Sequence, residues 1–425
     1  MTTDYTQLLI DVQKKSNITI SNVRDIAYLK EDIEAETSMI IGYNTLRRLF
    51  GFLKSTKPSL VTLNTLAVYL GFRSYTAYRN QYMNFDEWYF QQNLQRMLKL
   101  NTLCEAEFIQ IRTGLLNSQN VLFLGYFITT LIERNRLSMV VALFKHIDFK
   151  TVLNTDFLKL STLLSLSLST QSKKKAFQFY EALLPFDAFR NNVPLLFIDY
   201  DNLTTRYMSV LNNVKAYTSN TADLLFVSLM DFYRLFYSHQ SVNHIDIEKP
   251  KAINSLYPVL HGRYYSYLIL KSDKVNNSVF NEILQTCKAQ PINLFLAEII
   301  PALIFKNDTS SLNQIFDLYY EDIFNADVWS SNTVNALNLI ALATINCENE
   351  NTKSARKNLE LVALNKIELS YENYIALFYY LTSLKISFKD HIKTENEVAL
   401  NKIKSLIKIN GFKKFLVASA QYTIN

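Results

Sequence analysis

Hydrophobic residues recur at intervals of three and four along the chain, which is the pattern of amphipathic helices. The clearest example lies within residues 42–72, GYNTLRRLFGFLKSTKPSLVTLNTLAVYLGF. Its first helix has an apolar face of Leu46, Leu49, Phe50 and Leu53 and a polar side with Asn44, Arg47, Arg48 and Lys54. Pro58 restarts the chain, and either Ser59 or Thr62 can cap a second helix that Gly71 ends. The pattern therefore predicts two short helices.

A further amphipathic helix is predicted just upstream. In residues 25–37, DIAYLKEDIEAET, the apolar residues Ile26, Leu29 and Ile33 fall on one side. The segment SMIIG joins this helix to the one that begins near residue 43. A helix, a short turn and a second helix form the helix-turn-helix arrangement, whose second helix offers its N-terminal side chains to the major groove of DNA.

The distribution of charge supports a nucleic-acid partner for this stretch. No Asp or Glu occurs from Thr37 to Phe85. The same residues include the basic side chains Arg47, Arg48, Lys54, Lys57, Arg73 and Arg79. A basic unit without acidic residues suits contact with a phosphate backbone. The alternative is an ordinary helical hairpin with a solvated basic face.

A predicted helix is followed by YNTLRRLFG and then by KPSLVTLNTLAVYLGF. This order resembles the phage-repressor or Cro-like helix-turn-helix class. It is more similar still to a helix-turn-helix-like N-terminal module of Bacteroidetes proteins, which has a TLxRxFG core and a TLxxLAxYLGF tail. The resemblance covers roughly the first 80 of the 425 residues. It implies DNA binding, with the base-facing positions at Asn44, Thr45, Arg47 and Arg48.

Composition predicts the class of the remaining chain. With 425 residues, 49% of them hydrophobic, the chain can bury large cores in two or three domains. It has only 7 glycines, too few for the many tight turns of a β-rich fold. Acidic residues reappear near Asp86, so we place a boundary there, between a helix-turn-helix module of residues 1–85 and an all-α body of residues 86–425.

Helices within the body share a pattern. The segment KKKAFQFYEALLPF, residues 173–186, resembles the tight helix pairing of tetratricopeptide-type repeats, and SARKNLELVALNKI returns to the same pattern. Helix starts near residues 309, 352 and 393 give a spacing of about 40 residues, within the range of helical repeats. We therefore expect an α-solenoid of degenerate helix pairs, bent near residues 239–265, which form the least regular stretch.

The body also contains clusters of aromatic residues. They include Tyr264, Tyr265, Tyr267, Tyr374, Phe378, Tyr379 and Tyr380. Aromatic residues at helical spacing either line a concave groove with rings and hydroxyls or belong to the core, and the core is the commoner case. The first alternative leads to the hypothesis that a peptide or protein ligand binds in the groove of the repeats.

Membrane insertion and secretion find no support in the sequence. We expect no secretion signal, because the N-terminus lacks a basic segment followed by an apolar run and a cleavage site. The longest apolar run, residues 121–132, is shorter than the roughly 20 residues that span a bilayer. Cys104, Cys287 and Cys347 are odd in number and widely spaced, which favours core thiols in a reducing cytoplasm.

Catalytic and cofactor motifs are also missing from the sequence. His239 and His244 lie near Asp246 and Glu248, but their spacing fits no standard set of metal ligands. No glycine-rich phosphate-binding motif and no G-x-S-x-G nucleophile motif occur. We therefore expect a protein that is not an enzyme, with no cofactor, no bound metal and no catalytic residue.

Two functional hypotheses follow. The leading one is a regulator of transcription that binds double-stranded DNA and whose repeats dimerise or sense a ligand, an architecture that resembles peptide-sensing bacterial regulators. In it Arg47 and Arg48 contact bases or phosphates, Asn44 and Thr45 contact base edges, and Lys54 and Lys57 contact phosphates. A homodimer is expected because helix-turn-helix proteins commonly read paired half-sites. The alternative is a non-enzymatic interaction scaffold whose N-terminal module only packs.

Overall fold

The computed structural model describes residues 5–54, 56–82, 86–149, 154–251, 253–288, 291–325 and 331–424. Across these ranges the protein forms 23 α-helices and several short 3-10 helices, and no strand, so the all-α prediction is confirmed. None of these helices is both long and apolar enough to cross a membrane. The chain divides into two compact units, residues 1–92 (unit 1) and residues 93–425 (unit 2).

Unit 1 contains five helices that pack around an apolar core, and the start of a sixth. They are α1 (Thr6–Ser16), α2 (Val23–Thr37), α3 (Tyr43–Leu49), α4 (Leu60–Tyr69), α5 (Tyr75–Tyr82) and α6 (Asp86–Met97), which ends in unit 2. The predicted apolar side of α2, formed by Ile26, Leu29 and Ile33, is buried in this core. Leu46 of α3 and Leu66 of α4 are buried there as well. Helix α2 contacts both α3 and α4, and α1 contacts α4.

Two helices of unit 1 end at a glycine in the same way. Gly51 and Gly71 have φ angles of 82° and 93°, a left-handed conformation that residues with a Cβ disfavour. After α3, the Phe52 N–H donates to the Arg47 carbonyl at 2.8 Å, and the Gly51 N–H donates to the Arg48 carbonyl at 3.4 Å. Gly71 and the residue after it make the equivalent bonds at the end of α4. This pair of bonds is the Schellman motif, which confirms the predicted stop at Gly71. Helix α3 ends at Leu49, so Leu53 and Lys54, which were predicted to lie on this helix, follow it instead, because Gly51 already ends the helix.

Unit 2 contains the remaining helices. Their bounds are α7 (Glu105–Gly114), α8 (Asn120–Glu133), α9 (Leu137–His146), α10 (Asn154–Thr170), α11 (Lys173–Leu183), α12 (Asp187–Asn192), α13 (Arg206–Val214), α14 (Thr221–Tyr237), α15 (Pro258–Lys271), α16 (Asn277–Cys287), α17 (Ile292–Lys306), α18 (Thr309–Asn325), α19 (Ser331–Glu348), α20 (Thr352–Glu360), α21 (Glu372–Lys389), α22 (Lys393–Asn410) and α23 (Lys414–Ser419).

Helices α15 to α22 pack in a regular order. Alternate helices contact each other in succession, α15 with α17, α17 with α19, and α19 with α21. Each of the helices between them contacts a neighbour in sequence. Helices α18, α20 and α22 begin at Thr309, Thr352 and Lys393, the residues at which the sequence predicted helix starts. The C-terminal helix α23 contacts α14 and α21.

Aromatic side chains form much of the core of unit 2. The hydroxyls of Tyr237 on α14 and Tyr374 on α21 are 2.9 Å apart. The Tyr237 ring also stacks on Phe412, and the Tyr374 ring stacks on Tyr200, with centroids 5.0 and 4.1 Å apart. Of the predicted aromatic clusters, Tyr264, Tyr265, Tyr267, Tyr374 and Phe378 are buried, and Tyr379 and Tyr380 pack against the same core. The core interpretation of these residues is therefore confirmed.

Two details of the sequence prediction need correction. Cys104 is exposed, not a core thiol, because it lies at the N-terminus of α7 beside Glu105 and Glu107, which need contact with solvent. Cys287 and Cys347 are buried, and burial raises their pKa values to about 12 and about 11. The irregular stretch is also shorter than predicted, since Pro258 starts α15 by occupying its first turn, where a proline needs no N–H partner.

Helices α15 and α17 approach each other closely at Gly262. A Cβ atom at this position would lie 2.2 Å from the carbonyl oxygen of Phe295. That oxygen belongs to the backbone and cannot rotate away as a side chain can. The approach places Arg263 beside Glu298, both buried, with Nη2 2.6 Å from Oε1. A small residue at 262 is therefore a requirement of this helix pair.

Replacing Gly262 should destabilise unit 2. We expect Gly262→Ala to lower the free energy of unfolding by roughly 1–3 kcal/mol, because the new Cβ forces two backbones apart. Urea denaturation measures the change. Gly125→Ala is the matched control: its Cβ would meet the Cδ1 atom of Leu163 at 2.7 Å, and this side chain can rotate. Equal losses in the two variants would show that the contact at Gly262 is not rigid.

Lys385 is a cation in the core. Its side chain is 3% exposed, its Nζ donates to Asn307 Oδ1 at 2.6 Å, and it lies 5.2 Å from the centre of the Tyr422 ring. Burial lowers its pKa to about 8, although Glu348 acts in the opposite direction. The unfolded chain therefore holds this proton more tightly than the folded chain does.

The contribution of Lys385 to the stability of unit 2 should consequently rise with pH above pH 8. Between pH 8 and pH 9.5 the folded protein releases the Lys385 proton, whereas a lysine in the unfolded chain keeps it. Relative to Lys385→Met, wild type should gain about 1.5 kcal/mol over this window. Chemical denaturation of both proteins at several pH values measures the difference. Because Glu348, Cys347 and Lys389 are present in both proteins, the difference isolates the contribution of Lys385. Parallel curves would show that the pKa of Lys385 is not lowered.

Candidate nucleic-acid interface

The start of α3 is held by contacts with α2. The Tyr43 hydroxyl donates to the Val23 carbonyl at 3.0 Å, and the Ile41 N–H donates to the Glu34 carboxylate at 3.0 Å. Hydrogen bonds from the Lys30 side chain and from the Ile41 N–H lower the pKa of Glu34. Ser38, at φ 57°, ends α2 in the left-handed conformation. Residues 38–42 therefore set the direction in which α3 leaves the turn.

The polar side chains of α3 differ in how far they extend into solvent. Asn44 and Arg48 are exposed, whereas Thr45 and Arg47 are half-buried. Arg47 Nη1 donates to Asn44 Oδ1 at 3.3 Å, and its guanidinium lies 5.7 Å from the centre of the Tyr43 ring. Its Nε is buried and has no hydrogen-bond partner within the described part of the chain. Arg47 is thus partly engaged in packing, a distinction from Arg48 that the sequence did not reveal.

Arg48 faces the loop after α3 across a small cavity of about 190 Å3. The polar residues that line the cavity are Thr45, Arg48, Thr56, Lys57, Ser59 and Thr62. Ser59 caps α4, because its Oγ accepts a hydrogen bond from the Thr62 N–H at 3.2 Å. The fold therefore brings three of the six predicted DNA contacts, Thr45, Arg48 and Lys57, around one cavity. Lys54 is exposed and does not line it.

The hydroxyls of Thr56, Ser59 and Thr62 were not predicted as part of this surface. They meet Arg48 only because Pro58 turns the chain back toward α3 before α4 begins. The signal in the sequence is a row of hydroxyl residues on both sides of KP. Hydroxyls and cations around one cavity form a polar surface that can hold an anion such as a phosphate oxygen.

Several acidic residues of unit 1 are engaged by other groups of the same unit. Asp11 accepts from the Tyr78 hydroxyl, Asp25 closes the capping box of α2, Asp32 accepts from the Tyr69 hydroxyl, and Glu36 pairs with Lys15. In contrast, none of Arg47, Arg48, Lys54 and Lys57 forms an ion pair with any residue that the structure describes. The surface around α3 is therefore basic without internal neutralisation.

Comparisons with known proteins found no relative of this chain. No family model matches the chain, and searches of curated proteins and of solved structures also found no match. Within the described ranges, no group of three or more His, Cys, Asp or Glu side chains is arranged to hold a metal ion. The resemblance to helix-turn-helix modules therefore rests on the sequence of unit 1 alone.

Arg47 and Arg48 should differ in their effect on the stability of α3. We expect Arg47→Ala to weaken the helix by about 0.5–1 kcal/mol, because it loses contact with the Tyr43 ring and the burial of its stem. Arg48→Ala should change stability by less than about 0.5 kcal/mol. Hydrogen exchange of the α3 amides in the full chain measures both, and Arg47→Met, which keeps an apolar stem, is the control. Equal protection in all variants would contradict the packing role of Arg47.

Proposed function

We propose that this protein is a DNA-binding regulator of transcription in which α2, residues 38–42 and α3 act as a helix-turn-helix. The observation that carries the proposal is the basic surface around α3. Arg48 and Lys57 are exposed there and have no ionic partner among the described residues, while several acids of unit 1 are engaged by other groups. Such a surface attracts a phosphate backbone, and binding releases its counterions.

The contacts with DNA divide between base edges and phosphates. In the proposed complex α3 enters the major groove, where Asn44 and Arg48, four residues apart on one face, reach base edges. Lys54 and Lys57 bind phosphates on one side of the groove, and Thr45 assists beside Lys57. Arg47 contacts DNA only if its hydrogen bond to Asn44 opens, so we assign it a smaller part than Arg48.

Unit 2 supplies a helical-repeat body in this proposal. The successive packing of α15, α17, α19 and α21 supports an arrangement of repeated helix pairs. Such a body mediates dimerisation or the sensing of a ligand. A dimer places two α3 helices on paired half-sites, which raises affinity for a palindromic operator.

Salt-dependent DNA binding tests the proposed function. We expect the full chain to bind a random duplex of about 30 base pairs much more tightly at 50 mM than at 200 mM salt. The double variant Arg48→Ala/Lys57→Ala should bind more weakly and show a salt slope smaller by about 1, because the phosphate contact of Lys57 is lost together with the base contact of Arg48. Fluorescence anisotropy at several salt concentrations measures both quantities.

A matched variant separates a specific surface from net charge. Lys402→Ala/Lys404→Ala removes two exposed cations from α22 and should bind DNA as wild type does. Equal weakening in the two double variants would mean that DNA binding reflects the overall charge alone. Absence of binding by wild type at 50 mM salt would contradict the proposal and favour the interaction scaffold.

A further inference from the structure

Unit 2 contains a cavity of about 320 Å3 between several of its helices. Apolar side chains form most of the wall, among them Leu195, Ile198 and Leu294. An engineered cavity of about 150 Å3 holds benzene, so this one has room for a molecule about twice that size. Tyr257, which also lines the cavity, is 46% exposed, so the cavity reaches the surface beside it.

One cationic side chain lines this apolar cavity. Arg263 of α15 has a side chain that is only 1% exposed, and among the described residues of the wall it is the one that carries a charge. The guanidinium lies 5.2 Å from the centre of the Phe226 ring. Its position is set by the close approach of α15 to α17 at Gly262. A rigid helix pair therefore presents this group to the cavity.

The hydrogen bonds of Arg263 are incomplete. Nη2 and Nε donate to the two carboxylate oxygens of Glu298, at 2.6 and 3.2 Å. Nη1 is buried and has no hydrogen-bond partner among the described residues. A buried donor without an acceptor is costly, and Arg263 lines the cavity, so a ligand there can supply the acceptor once the guanidinium turns toward it.

Charge balance decides which kind of acceptor fits. Glu298 already neutralises Arg263, so a carboxylate in the cavity would bring an uncompensated negative charge into an apolar environment. A carbonyl oxygen satisfies Nη1 without adding charge. The other polar residues of the wall, Asn192, Tyr257 and Tyr371, are uncharged and leave this balance unchanged.

We propose that this cavity binds a small, largely apolar molecule with one neutral carbonyl oxygen, a ketone, ester or amide, that accepts a hydrogen bond from Arg263 Nη1. A cavity of this volume takes about ten to fifteen non-hydrogen atoms. The aromatic and aliphatic wall binds the apolar part, and the guanidinium orients the carbonyl. The site lies within unit 2, and its occupation does not depend on DNA binding by unit 1.

Three naphthalene probes of nearly equal size test the proposal on the full chain without DNA. They are 2-acetylnaphthalene, which has a carbonyl, 2-ethylnaphthalene, which has no acceptor, and 2-naphthoate, which has a negative charge. Titration calorimetry should give a dissociation constant about tenfold lower for the ketone than for the hydrocarbon, as expected for one hydrogen bond. The carboxylate should bind more weakly than the ketone.

Variants locate the binding in this cavity. Arg263→Met/Glu298→Met removes both charges together and should abolish the preference for the ketone over the hydrocarbon, while Val259→Phe fills the cavity and should weaken both. Lys249→Met/Glu282→Met, which removes an exposed ion pair that does not line the cavity, should leave all three affinities unchanged. Val259→Phe and the probe series decide the question even if the double variant in the core does not fold.

Several results would overturn the proposal. Equal affinities for the ketone and the hydrocarbon would show an apolar cavity without a recognition group. Tighter binding of 2-naphthoate would identify an anion site instead, and no binding of any probe would show that the cavity is closed to ligands. Because DNA is absent throughout, none of these outcomes depends on whether unit 1 binds DNA.

Discussion

The contact between Gly262 and the Phe295 carbonyl is the constraint on which the most extensive helix pairing of unit 2 depends. It brings the backbones of α15 and α17 so close that Arg263 must lie against Glu298 inside the core. Two charges are then removed from water, and burial alone would favour the neutral forms. Burial lowers the pKa of Arg263, but the Glu298 carboxylate together with Tyr200 and Tyr371 acts in the opposite direction and raises it well above its ordinary value, so the guanidinium is a fixed cation of the core.

In unit 1 the important constraint is that acidic side chains of α2 hold the helices and the turn in place. Asp25, Asp32 and Glu34 act as a helix cap, as an acceptor for a buried tyrosine and as an anchor for the turn before α3. Each of these roles is structural, and each leaves the side chain on or beside α2. The sequence has no acidic residue from Thr37 to Phe85, so the basic residues in this range have no acid near them in sequence. The positive charge of this surface is therefore a by-product of how the helices are fixed together.

Much of the helical framework could be predicted from the sequence because local signals determine it. Gly51 and Gly71 end helices by adopting positive φ, and Thr309, Thr352 and Lys393 start helices at the predicted residues. The candidate site was only partly predictable. The cavity shared by Arg48 and Lys57 depends on how the loop after α3 folds back. Arg263 and Glu298 are 35 residues apart in the sequence and lie on different helices. Helical periodicity carries no information on such contacts.

The incomplete hydrogen bonding of Arg263 is difficult to explain by stability. An apolar pair of similar volume commonly serves a core as well as a buried ion pair does, and it leaves no donor unsatisfied. A cationic donor at the wall of an apolar cavity is instead the arrangement expected where recognition of a ligand matters. If unit 1 binds DNA, a ligand in this cavity can regulate it only through a difference in its affinity for two states of the chain. A rigid site built on α15 and α17 would respond to the relative position of those two helices, because displacement of α17 moves Glu298 and with it the direction of Nη1.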